Sequence, residues 1–191
     1  PTIFASAVTG SDSYRQGITE MASAGVAAEE AVFEIMISDV QGACDLMRGV
    51  FDETSGLDGR VSLEVSPLLA HDTAGTIAQA TELWARVDRP NLMIKIPATL
   101  AGLPAITEVL GAGISVNVTL IFSERQYKIA RENVWRGAQR RQDRDNFKSV
   151  YSIFVSRVDV YTEKYVPQLS PAAQGQVGIV NVKRLWQSNQ Q

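Results

Sequence analysis

Polar and apolar residues alternate strictly along Val61-Ser62-Leu63-Glu64-Val65-Ser66, so Ser62, Glu64 and Ser66 share one face of an extended segment and three aliphatic residues share the other. Ile114 to Phe122 repeats the pattern, with Ser115, Asn117 and Thr119 opposite Val116, Val118 and Leu120. Val150 to Ser156 predicts a further strand with Ser152 and Phe154 on one face. A different signal runs from Asn91 to Thr99, where an apolar Ile- and Met-rich stretch between Pro90 and Pro97 reads as a strand buried on both sides. Lys95 interrupts it.

Helical spacing fills the intervals. Ser11 to Met36 reads as helical pieces broken near Gly25, and Ser38-Asp39-Val40-Gln41 has the form of a capping box that opens a new helix burying Val40, Cys44, Met47 and Phe51. Asp72 or Thr73 caps a helix carrying Ile77, Ala80, Trp84 and Val87, and Pro104 stands near the start of another that buries Ile106, Val109 and Leu110. Ser123-Glu124-Arg125-Gln126 forms a second capping box, ahead of Tyr127, Ala130 and Val134. Asp159 to Val166 and Gln176 to Gln187 also read as helical.

Strands alternating with helices imply parallel βαβ units, in an open sheet or a barrel. An open sheet would bury Glu64, Lys95, Asn117 and Thr119 under apolar helix faces, whereas a barrel turns them toward a lumen whose mouth binds substrate. The expectation is therefore α/β, a parallel (β/α)8 TIM barrel. Four strands cannot close one, because the usual fold has roughly 250 residues. The chain of 191 residues is thus expected to be one barrel domain, incomplete at both ends and covering roughly the middle strands and their helices.

Composition narrows the function classes. The 45% hydrophobic content suffices for a sizeable core, and a net charge of -3 with interspersed signs implies no field that would gather nucleic acid or membrane. The cluster Arg136, Arg140, Arg141 and Arg144 is expected to be a solvated helix end, and His71 a surface residue. A single Cys44 excludes an intrachain disulfide, a single histidine excludes a His-rich metal site, and no metal or other cofactor is expected. These features fit a cytoplasmic protein. Asn117-Val118-Thr119 matches a glycosylation acceptor, but inside a buried strand it is read as accidental.

Lys95 carries the candidate chemistry. An ammonium forced out of water is destabilised, and a neutral lysine can attack a carbonyl to form a Schiff base. Glu64 supplies an acid, and Asn117 and Thr119 supply hydrogen-bonding groups from adjoining strands. The alternative is a structural Glu64–Lys95 ion pair, which would keep the amine protonated; the sequence leaves both open.

Val61-Ser62-Leu63-Glu64-Val65, Met93-Ile94-Lys95-Ile96-Pro97-Ala98-Thr99, Gly113 to Ser123 and Phe154-Val155-Ser156-Arg157-Val158-Asp159, in this order and spacing, resemble transaldolase, especially its longer bacterial and plant branch. The resemblance implies that Lys95 forms the Schiff base and moves a dihydroxyacetone unit from a ketose phosphate (sedoheptulose 7-phosphate or fructose 6-phosphate) to an aldose phosphate (glyceraldehyde 3-phosphate or erythrose 4-phosphate) in the pentose phosphate pathway. It further implies that Glu64 and Thr119 hold a proton-relaying water, that Asn117 and Ser152 position the intermediate, that Phe154 lines the pocket and that Arg157 grips phosphate. Phosphorylated sugars are the expected partners, with the protein a monomer or homodimer. An Asp on the first barrel strand and an Asn before the Pro-x-Ile-Phe segment belong to the family pattern and are absent here. If the molecule ends where the chain does, the expectation is an inactive sugar-phosphate-binding fragment or one dependent on another piece. A class I Schiff-base aldolase of the fructose 6-phosphate type is the competing enzyme reading.

Overall fold

The computed structural model describes residues 2–144 and 147–190, with side chains described from residue 6 onward. Pro1 of the Pro-x-Ile-Phe segment lies outside the described residues, whereas a helix runs over Thr2–Gly10 (α1). Arg15–Ser23 (α2) and Ala28–Glu53 (α3) follow. The expected helix start at Ser38 does not occur. Phe33, Met36, Ile37, Val40 and Cys44 form one stripe at helical spacing that passes Ser38 without interruption, and Ser38 and Asp39 face solvent within the continuous α3. Ile37 and Cys44 are buried, whereas Met47, further along the same stripe, is 38% exposed.

The remaining elements alternate: Val61–Glu64 (β1), Thr73–Val87 (α4), Leu92–Pro97 (β2), Gly102–Gly111 (α5), Val116–Ile121 (β3), Glu124–Arg140 (α6), Ser149–Ile153 (β4), Ser156–Tyr165 (α7) and Val177–Asn189 (α8). Two caps act as the sequence predicts. The Asp72 side chain accepts from the Gly75 amide, and Ser123 Oγ accepts from the Gln126 amide. Gln126 reaches back to the Phe122 amide, one residue earlier than the standard box.

The four strands form one parallel sheet in the order β1-β2-β3-β4. Each strand is added on the same side of the last through a helix, and right-handed crossovers of that kind put every helix on one face. Burial agrees. Leu63, Ile94, Ile96, Val116 and Val118 are sealed against the helices, while Ser62 is exposed and Glu64, Lys95 and Asn117 are half-buried on the other face. Met93, Pro97 and Thr119 are buried there. One covered face and one polar face are the arrangement of a barrel wall rather than of a doubly wound sheet.

Two buried polar residues tie the lower edge together. Asn91, fully buried before β2, donates through Nδ2 to the Cys44 carbonyl of α3 and the Gly59 carbonyl ahead of β1. Substituting Asn91 with Ala removes both bonds and unties β2 from α3 and from the approach to β1, and chemical denaturation should show a loss of about 2–3 kcal/mol. Arg141 departs from the expected solvated cluster: it is 8% exposed and donates from Nη1 to the carbonyls of Leu110 and Ile114. It closes the open end of α5, where a cation is favourable. On β4, burial pushes the Tyr151 hydroxyl up to about 12, so this ring stays neutral in the core, edge-on to Tyr127.

Candidate active site

Sheet register decides which side chains meet. Glu64 pairs with Lys95 across β1 and β2, and Lys95 pairs with Asn117 across β2 and β3, so the three form one row on the helix-free face. Thr119 stands one pleat further along, beside Pro97. Lys95 Nζ donates to Glu64 Oε2 at 3.1 Å, with the two side chains 27% and 31% exposed. The acid and the amine are therefore in proton-exchange contact at the rim of the core, as an ion pair between adjoining strands.

Asn117 is held from both sides. Its Nδ2 donates to Ser62 Oγ at 3.0 Å, and its Oδ1 accepts from the Ser152 hydroxyl at 2.8 Å. This ladder joins β1, β3 and β4 alongside the Glu64–Lys95 pair. The Thr119 hydroxyl is different: 1% exposed, it has no hydrogen-bond partner among the described residues. A buried hydroxyl with no protein partner ties no element of the fold to another and is left to bind a water or ligand, so a methyl in its place costs the fold little. Replacing Thr119 with Val should leave stability unchanged or raise it by up to about 1 kcal/mol in thermal denaturation.

Phe154 and Arg157 form a separate group at the strands' C-terminal ends. Strand β4 stops at Ile153 and a helix begins at Ser156, earlier than the alternation suggests. The Phe154 ring stacks on Phe122 with centroids 5.1 Å apart and planes 10° from parallel, and the Arg157 guanidinium lies 5.2 Å from the Phe154 centroid. Among the described residues Arg157 meets no carboxylate, so a fixed charge with an open donor edge stands at this end of the sheet.

The sequence reading missed Phe122. Alternation puts Leu120 beside Val116 and Val118 on the apolar face, but the pairing with β4 shifts between Val118 and Ile121, inserting one extra residue in β3. Leu120 takes the left-handed conformation at φ 59° and is 37% exposed, while Ile121 occupies the buried position opposite Ile153. The bulge moves Phe122 to the polar face, next to Phe154. A leucine in a left-handed conformation carries no local sequence signal, which is why the reversal was not legible.

The family profile described as Transaldolase/Fructose-6-phosphate aldolase matches residues 1–191. Transaldolase 2 of Streptomyces avermitilis is 45% identical over 196 residues, covering 98% of this chain and 53% of that protein. Transaldolase of Acidothermus cellulolyticus is 49% identical over 177 residues, or 91% of this chain and 48% of its own length, and that of Thermobifida fusca is 47% identical over 191 residues, or 96% and 52%. The chain spans about half the length of the curated relatives it matches. With its four-stranded parallel arc as part of a TIM barrel, the chain belongs to the transaldolase/fructose-6-phosphate aldolase family.

Proposed function

We propose that the protein is a transaldolase, moving a dihydroxyacetone unit between phosphorylated sugars through a Schiff base on Lys95. The observation that carries this reading is the row that the register builds on the helix-free face, where Lys95 stands between Glu64 and Asn117 and Asn117 is held by Ser62 and Ser152. Lys95 Nζ, once its proton has passed to a neighbouring base, attacks the ketose C2 carbonyl. Loss of that oxygen as water gives the iminium, which accepts the electron pair of the breaking C3–C4 bond while a base takes the C4 hydroxyl proton and C4 leaves as the aldehyde of the aldose. The resulting enamine adds to the acceptor aldehyde, and hydrolysis restores the amine.

The remaining residues take the roles that the family resemblance implies. Glu64 gives and takes the proton during dehydration and hydrolysis, with the Thr119 hydroxyl holding the water that carries it. Asn117 and Ser152 hydrogen-bond the hydroxyls of the bound unit. Phe154 lines the pocket, and Arg157 binds the phosphate. No bound cofactor is needed for these steps. Among the described residues no helix is long and apolar enough to cross a membrane, and the cytoplasm, where sugar phosphates occur, is the proposed location.

Acceptor dependence separates transfer from simple aldol cleavage. Fructose 6-phosphate should yield glyceraldehyde 3-phosphate in the presence of erythrose 4-phosphate and only a trace without it; equal yields in both would make the enzyme an aldolase.

A further inference from the structure

We propose that Phe122 is a positioning residue for the phosphate site, acting through Phe154 to hold the Arg157 guanidinium at the mouth of the strands. This rests on the transaldolase reading and deepens it. Arg157 has no ion pair among the described residues to fix its direction, and its recorded contact is with the face of Phe154. Phe154 lies just beyond the last residue of β4, where the ladder's final bond runs from its own amide to the Ile121 carbonyl at 3.2 Å. Its ring is therefore placed by what it stacks on, and that is Phe122 at 5.1 Å and nearly parallel.

Phe122 is itself tightly anchored. Its amide donates to Gln126 Oε1 at 3.1 Å, within the capping turn of α6. Its carbonyl accepts from Asn181 Nδ2 of α8 at 2.9 Å. The β3 bulge that turns it to this face holds Leu120 in a conformation disfavoured for leucine, so the placement is maintained against a local cost. An aromatic ring there, 37% exposed, adds little to the core but gives Phe154 a rigid flat support. The order of dependence is thus bulge, Phe122, Phe154, Arg157.

Steady-state kinetics of the full-length protein tests the chain of contacts, with phosphorylated fructose 6-phosphate and unphosphorylated fructose as parallel donors. Borohydride trapping of Lys95 in the unsubstituted enzyme comes first; its failure would overturn the transaldolase reading and, with it, the phosphate site this proposal deepens. Given that adduct, Phe122→Ala should raise KM for fructose 6-phosphate roughly three- to tenfold with kcat within about twofold, and leave KM for fructose unchanged. Phe122→Tyr should restore the KM, and Phe122→Leu, which keeps bulk without a π face, should not. In an Arg157→Ala background, Phe122→Ala should add less than about twofold, because the route to phosphate is already gone. The proposal is overturned if Phe122→Ala and Phe122→Leu both leave KM for the phosphorylated donor unchanged. It is equally overturned if they impair both donors alike, or if the effect is as large without Arg157 as with it.

Discussion

Lys95→Ala should lower transfer between sugar phosphates by at least about 10³-fold, or about 4 kcal/mol of transition-state stabilisation, while the protein stays folded. The chemical loss is large because, among the described residues, no other amine occupies the row formed by Glu64, Lys95 and Asn117. The structural loss is small. Both partners of the pair are more than a quarter exposed, and breaking an ion pair so close to water costs at most about 1 kcal/mol. Lys95→Arg should be equally inactive, since a guanidinium keeps the contact with Glu64 but does not act as an amine nucleophile. Rates measured beside circular dichroism melts distinguish this from misfolding: lost activity with an unchanged melt is expected.

Gly102→Ala should lower stability by about 3 kcal/mol and the thermal midpoint by roughly 10 °C. A Cβ at Gly102 would stand 2.0 Å from the Pro97 carbonyl oxygen and 3.0 Å from Thr99 Oγ1. Neither can withdraw cheaply. Pro97 ends β2 two residues after Lys95, and Thr99 Oγ1 accepts from the Gly102 amide while donating to the Ala70 carbonyl, tying the loops after β1 and β2. Part of the strain should thus reach Lys95 and reduce turnover as well. Gly42→Ala is the contrasting substitution: within α3 an added Cβ would meet no described atom within 4 Å outside its own helical turn, and the gain in helix propensity should stabilise by about 0.5–1 kcal/mol. Denaturation of the two variants side by side gives opposite signs if close packing, rather than glycine content, governs the fold.

Much of this was legible in the chain because period-two alternation is a direct statement about faces. Glu64, Lys95 and Asn117 were expected on one face from three segments, and the register places them as immediate neighbours. Asp72 and Ser123 announced their helices for a similar reason, since a short side-chain acceptor before an apolar period has one obvious use. The same reasoning failed at Ser38, where a capping residue lies on the solvent side of a helix whose apolar stripe continues past it. Composition also misled at Arg141. One arginine among several in a charged run gives no sign that the carbonyls of Leu110 and Ile114 lie within its reach. The bulge at Leu120 was the costliest omission, because a single inserted residue exchanges the faces of everything after it and hid Phe122 from the candidate site.

Whether Lys95 is nucleophile or structural cation is decided by trapping. The protein is incubated with fructose 6-phosphate, reduced with borohydride, digested and mapped by mass spectrometry. A secondary amine joining Lys95 Nζ to C2 of a dihydroxyacetone unit, absent when borohydride is omitted, is the expected result. Turnover of the sugar with Lys95 unmodified, or an adduct on another lysine, would contradict it.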